Sequence, residues 1–199
     1  MNLRQILTAP NQLTLLRMIF LPFIVINLVG HHFNTALILF VLAGLSDGLD
    51  GLLARKLHQQ TLLGQYLDPI ADKLLLSTMF LVLSIEYRGV VPWKFTVIVF
   101  SRDVSILLVS GVLFMIAGLR DFRPSIFGKA NTFAQVAAVF FALLFLVYPI
   151  VWIAITLKFF LKATFAFTIL SALHYAFLVQ KRLHNHAQSA AAISAKKAE

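Results

Sequence analysis

Six apolar runs dominate the chain and decide what it can fold into. They cover about Leu13–Val29, Phe33–Leu53, Leu67–Ile85, Val91–Ala117, Asn131–Tyr148 and Ile155–Val179. A helix needs roughly 20 consecutive apolar residues to cross the ~30 Å hydrocarbon core of a bilayer, and these runs are of that order. In hydrocarbon each backbone N–H and C=O must find its partner within the protein, which favours helices. No strand-like alternation and no Gly/Ser linker interrupts the runs. Composition points the same way: 60% of residues are hydrophobic and 13% charged, whereas a soluble domain is about half apolar and a quarter charged. The sequence therefore predicts an all-α, polytopic integral membrane protein with six transmembrane helices. Residues 1–186 read as one membrane domain, and the alanine-rich residues 187–199 as a disordered or frayed tail. The first run reads as a retained span, not a signal peptide, because Arg17 interrupts it and no small-x-small cleavage site follows.

The loop charges orient the spans. With an even number of spans both termini share a side, and twelve basic residues fall on or near it: Arg4, Arg17, Arg55, Lys56, Lys73, Arg120, Arg123, Lys129, Lys181, Arg182, Lys196 and Lys197. Only Arg88, Lys94, Lys158 and Lys162 fall opposite. The excess places both termini in the cytoplasm, with Trp93 and Tyr148 as interfacial anchors near the other face. The net charge of +9 lies in short loops between apolar runs. Anionic lipid head groups and phosphorylated substrates are therefore its expected partners, and no nucleic-acid motif is present. The absence of cysteine excludes disulfides, iron–sulfur clusters and thiolate catalysis.

Against this background one stretch stands out. The chain has 8 acidic residues, and four of them, Asp47, Asp50, Asp68 and Asp72, lie within "SDGLDGLLARKLHQQTLLGQYLDPIADKLLL". Asp47 and Asp50 are spaced i, i+3 at the inner end of the second run. Asp68 and Asp72 are spaced i, i+4 at the start of the third. Each pair shares a helix face, and the connecting turn brings the two helix ends side by side. Ionised carboxylates at this depth cost several kcal/mol each by order of magnitude. Arg55 and Lys73 are too few to offset four of them. Hard divalent cations with oxygen ligands, Mg²⁺ or Mn²⁺, suit the set, and four carboxylates suit two ions. Gly48, Gly51, Ala54 and Gly64 allow close approach of a ligand or a neighbouring helix, and Arg55 is placed for a phosphate. No Ser-His or Cys-His pair suggests a covalent intermediate.

The stretch reads D-x2-D-G-x2-A-R-x8-G-x3-D-x3-D, with Asp47, Asp50, Gly51, Ala54, Arg55, Gly64, Asp68 and Asp72 in place. It resembles the signature of the CDP-alcohol phosphotransferases. "PNQLTLLRMIFLPFIV", with Asn11, Thr14 and Arg17, resembles the first helix of that family's phosphatidylglycerophosphate synthase and cardiolipin synthase branch. "GKANTFAQ" resembles its GK-x-x-T-x-x-Q segment. The resemblance spans roughly Pro10 to Arg182. It implies a six-helix enzyme, commonly a homodimer, in which an alcohol attacks the β-phosphoryl of a CDP-linked lipid and CMP leaves. Asp47, Asp50, Asp68 and Asp72 would hold two Mg²⁺ or Mn²⁺ ions, with Asp72 also the general base. Gly51, Arg55, Thr61 and Gly64, with Asn11 and Thr14, would contact CDP-diacylglycerol. A bacterial inner membrane, with the site facing the cytoplasm, is the implied location.

The acceptor must be read from the later runs. Arg102 and Asp103 lie inside the fourth run, where ionisable residues suggest function. Being adjacent, they are expected to point to different faces and to pair elsewhere. Arg102, Arg123 and Lys129 are candidates for binding a phosphate-bearing acceptor. The branch's phosphatidylglycerophosphate synthases commonly carry A-R-E-I in the fourth helix. Here "SRDV" and "KANTFAQ" look closer to cardiolipin synthases of the eukaryotic kind. Glycerol 3-phosphate is the first expectation, and phosphatidylglycerol the alternative. A transporter or channel is the competing class. Against it, the aspartates cluster at one face, whereas transport sites sit near the midplane, commonly between repeats.

Overall fold

The computed structural model describes the backbone of residues 9–56, 62–117 and 126–198, and side chains chiefly of residues 14–46, 70–105 and 128–174. Six helices carry these residues and no strand occurs among them: α1 (Ala9–Val29), α2 (Phe33–Lys56), α3 (Leu62–Glu86), α4 (Trp93–Ala117), α5 (Ile126–Val147) and α6 (Val151–Ala198). Five of the six helices correspond to the apolar runs with ends shifted by a few residues. The sixth is far longer than expected. Helical backbone continues past residue 179 and through the alanine-rich segment expected to be disordered or frayed. Alanine is the strongest helix former, and no glycine or proline stands between Val151 and Ala198 to end the helix.

The helices pack antiparallel along the chain where loops are short. α1 lies along α2, and α5 along α6; α1 and α4 both contact α3, and α5 also touches α2 and α3. The apolar core draws Ile24 and Leu28 from α1, Phe40 from α2, Met79, Phe80 and Leu83 from α3, Leu143 from α5, and Leu157 and Leu161 from α6. Small residues at Ala36, Ala43, Ala138 and Ala142 are fully or almost fully buried, which lets the helix backbones approach closely.

The outside of the bundle carries many large apolar side chains. Ile126, Phe133 and Trp152 expose 83%, 70% and 76% of their surface, the reverse of a water-soluble protein of this size. Among the described residues, Gly128–Val147 and Val151–His174 are long and apolar enough to cross a bilayer; Thr14–Val29 and Phe33–Ser46 are apolar but shorter.

At one end of the bundle the α1–α2 turn is pinned to the α3–α4 loop. The His32 N–H donates to the Asn27 carbonyl (2.8 Å) and the His31 N–H to that of Leu28 (3.1 Å). This is the Schellman closure of α1. His31 occupies its left-handed position at φ 60°, where glycine is usual. The Tyr87 hydroxyl donates to the Leu28 carbonyl (2.8 Å) and lies 3.1 Å from His31 Nδ1. Its ring meets those of His31 and Phe33 edge-on. Tyr87→Phe is expected to destabilise the fold by about 1 kcal/mol, the usual worth of one such bond, measured as a lower thermal midpoint in detergent. Burial, and then the neighbouring Glu86 carboxylate, raise the Tyr87 hydroxyl above its ordinary value. The fold thus favours the neutral phenol. Its contribution is complete below pH 10 and is lost as pH climbs through the raised value.

Candidate functional site

The other half of the bundle is polar. Arg17, Asp72, Asp103, Asn131 and Gln135 lie about 15–25 Å along their helices from the loops that close the apolar end, at 1.5 Å of rise per residue. Thr14, Asn131 and Thr164 are fully buried, and Arg17 and Gln135 are 1% exposed. A bundle whose core is apolar at one end and hydrogen-bonding at the other has a built-in location for chemistry.

Its clearest feature is an ion pair between α1 and α3. Arg17 Nη1 donates to Asp72 Oδ1. The burial is lopsided: the arginine side chain is 1% exposed and the aspartate 37%. Arg17 lies one helical turn after the buried Thr14 and points into the bundle. Asp72 follows the buried Ala71 on α3, and its carboxylate reaches the edge of the polar half. Sequence reasoning noticed Arg17 as a charge interrupting an apolar run. It could not assign its partner, 55 residues away.

A second network joins α3, α4 and α6. Asp103 Oδ1 accepts hydrogen bonds from Lys73 Nζ and Arg102 Nη1, both at 2.6 Å. Arg102 Nη2 donates to the Ser171 hydroxyl at 2.7 Å. One expectation is corrected here: Arg102 and Asp103 do pair with each other, because the arginine's long stem lets its guanidinium turn back to a neighbouring carboxylate. Lys73, read from the sequence as too little to offset the aspartates, is directed to Asp103, and Asp72 meets the charge of Arg17.

A polar seam between α5 and α6 continues this end. Thr168 Oγ1 donates to Asn131 Oδ1 at 3.0 Å, and Gln135 and Thr164 sit one turn further into the bundle on the two helices. Among the described residues, Asn131 Nδ2, Gln135 Nε2, Thr164 Oγ1 and Arg102 Nε have no hydrogen-bond partner. Buried donors of this kind are uncommon, and here they offer hydrogen bonds to an oxygen-rich group. Sequence reasoning singled out the "GKANTFAQ" segment, which carries Asn131 and Gln135, but missed Thr164, Thr168 and Ser171. Hydroxyls at i, i+4, i+7 on an apolar helix were the available signal.

The remaining predicted residues fall as follows. Asp47, Asp50, Gly51 and Arg55 lie on the last turns of α2, and Gly64 and Asp68 on the first turns of α3, while Asn11 lies on the first turn of α1. Their side chains lie outside the described residues. Thr61 and Arg123 lie outside them entirely. Thr14 is described and fully buried; Lys129 is exposed at the start of α5. Arg102 is engaged with Asp103 and Ser171 at 10% exposure. Among the described residues no three His, Cys, Asp or Glu side chains come together as a metal site. Of the four motif aspartates, Asp72 alone has its side chain among them.

Residues 7–170 match the family model for CDP-alcohol phosphatidyltransferase. A CDP-diacylglycerol–glycerol-3-phosphate 3-phosphatidyltransferase of Wigglesworthia glossinidia brevipalpis is 34% identical over 184 residues, covering 89% of this chain and 97% of that protein. The CMP-forming cardiolipin synthase of Homo sapiens is 38% identical over 109 residues, 54% of this chain. A putative cardiolipin synthase of Mycobacterium tuberculosis is 35% identical over 132 residues, 65% of this chain. The chain spans 35% of the length of the human relative and 61% of the mycobacterial one.

Proposed function

The chain belongs to the CDP-alcohol phosphatidyltransferase family, a membrane-associated family, and on that premise we propose that it transfers a phosphatidyl group from CDP-diacylglycerol to an alcohol and releases CMP. The observation that carries this reading is Asp72: a carboxylate of the complete motif, held from behind by a buried arginine and one-third open at the polar end of the bundle. In this reading the acceptor hydroxyl gives its proton to Asp72. Its oxygen forms a new bond to the phosphorus that carries diacylglycerol, and the bond from that phosphorus to CMP breaks. No Ser-His or Cys-His pair suggests a covalent intermediate, so the transfer is read as a direct displacement with Asp72 as the base.

Asp47, Asp50, Asp68 and Asp72 are the residues to hold two Mg²⁺ or Mn²⁺ ions. The fit rests on donor chemistry: four hard oxygen donors carried by two helices consecutive in the chain, α2 and α3, with Lys73 drawn off to Asp103. Bound there, such ions neutralise charge on the pyrophosphate and on leaving CMP. Gly51, Gly64, Thr61 and Arg55, with Asn11 and Thr14, receive the nucleotide-diphosphate part. Arg102, Arg123 and Lys129 form the acceptor side, supported by the unpartnered Arg102 Nε and the α5–α6 donors. Six spans with both termini in the cytoplasm, a bacterial inner membrane and a homodimer complete the proposal.

Glycerol 3-phosphate is the proposed acceptor, supported by the Wigglesworthia relative's coverage of nearly the whole chain. Phosphatidylglycerol is the second reading, favoured by "SRDV" in α4 and by the relatives named cardiolipin synthase. The test is CMP release from CDP-diacylglycerol and Mg²⁺ by purified protein in detergent, with glycerol 3-phosphate, phosphatidylglycerol, serine or inositol phosphate added singly. CMP is expected with glycerol 3-phosphate, and mass spectrometry should find phosphatidylglycerophosphate. Cardiolipin as the only product would replace the acceptor; no CMP with any of the four would end the enzyme reading.

A further inference from the structure

We propose that Arg17 is a positioning residue for Asp72, working from α1 on a carboxylate carried by α3. The inference rests on the reading of Asp72 as the base. Four observations carry it. The Arg17 guanidinium donates to Asp72 Oδ1 across two helices. Arg17 is 1% exposed while Asp72 is 37% exposed. The other cations described at this level have different commitments: Lys73 and Arg102 both bond Asp103. α1 and α3 pack against each other, so the arginine stem is held along with the helix that bears it.

The lopsided burial separates two roles. An ion pair that only fastens two helices gains from being closed on both sides, since water weakens it. Here one partner is sealed and the other is left open to the polar half. Sealed among the helices, the guanidinium works on the carboxylate it bonds. What it can do is fix the side-chain rotamer of Asp72 and engage one of its oxygens, so the carboxylate faces the site in a single direction. Free aspartate side chains sample several staggered rotamers, and a base held within hydrogen-bond reach of its proton acts far better than one that wanders. Arginine suits this better than lysine, because its planar fork has fixed donor directions, whereas an ammonium is a point charge on a flexible stem.

The experiment compares Arg17→Gln and Arg17→Lys with the unaltered protein, using CMP release at varied CDP-diacylglycerol and acceptor. Arg17→Gln is expected to lower kcat about 30-fold while KM for CDP-diacylglycerol changes less than about 3-fold, as for a lost transition-state alignment. Arg17→Lys keeps the charge and is expected to recover part of the loss, to within about 10-fold of the unaltered kcat. The proposal is overturned if Arg17→Gln keeps more than a third of kcat, or if KM rises as much as kcat falls, which would make Arg17 a substrate contact. It is also overturned if neither variant yields a monodisperse, folded protein, for then the pair is structural. Inactivity of the unaltered protein with every acceptor would instead remove the reading of Asp72 on which this rests.

Discussion

Asp72→Asn is expected to lower turnover about 10³-fold, within the 10²–10⁴ range of a lost general base, while CDP-diacylglycerol binding weakens less than about 10-fold. The substitution isolates basicity. Asparagine keeps the size of aspartate, and its Oδ1 can still accept the hydrogen bond that Arg17 gives to Asp72 Oδ1. The buried guanidinium therefore keeps a partner and the α1–α3 contact survives. What is lost is the charge and the ability to take a proton from the acceptor hydroxyl. Binding of the nucleotide part is expected to persist because, in the proposed site, Asp47, Asp50 and Asp68 remain to hold metal. Calorimetric titration of the CDP-lipid and a radiolabelled CMP-release assay read the two quantities separately. Turnover above a tenth of the unaltered value would remove Asp72 as the base; a parallel collapse of binding would make it chiefly a metal ligand.

Much of this fold was legible because long apolar helices announce themselves residue by residue. The apolar runs at Phe33–Leu53 and Val91–Ala117 reappear within a few positions as α2 and α4. The ends were legible only approximately, since α2 carries on through Asp47, Asp50 and Lys56, polar residues that hydropathy reads as an exit from the membrane. The length of α6 was not legible: a polar, alanine-rich segment has the composition of a tail and the backbone propensity of a helix. The four motif aspartates were visible in sequence by spacing alone. The Arg17 partner of Asp72 was not. The sequence neighbour Lys73 was a candidate, but ion pairs between packed helices follow topology. Arg17 reaches Asp72 because α1 folds back against α3, and Lys73, one residue from Asp72, faces α4 instead. The same applies to the α5–α6 seam, where Asn131 finds Thr168 across an antiparallel pair.

Asp103→Ala is expected to cost the fold about 3–5 kcal/mol, the usual cost of stripping a buried charge of its partner. Asp103 is the hub at which three helices meet: it accepts from Lys73 of α3 and from Arg102 of its own helix, and Arg102 continues to Ser171 of α6. The two cations do not lose equally. Lys73 is 40% exposed, so it can turn to solvent or head groups, and its pair with Asp103 is screened. Arg102 is 10% exposed and would keep only the Ser171 hydroxyl against a full charge. Asp103→Asn keeps an acceptor oxygen for Arg102 and is expected to cost less, about 1–3 kcal/mol. The joint replacement Arg102→Met with Asp103→Leu removes both buried charges, and should be better tolerated than Asp103→Ala alone, because well-packed apolar groups commonly equal a buried ion pair. Unfolding of the three variants in mixed detergent, followed by circular dichroism, orders them. A loss below about 1 kcal/mol for Asp103→Ala would mean that solvent or head groups reach Arg102, and that α4 is held by its apolar contacts and not by this network. The expected order also separates stability from chemistry: the joint variant retains the fold but removes Arg102 Nε and Nη1 from the proposed acceptor side, so its KM for the acceptor should rise while that for CDP-diacylglycerol stays in place.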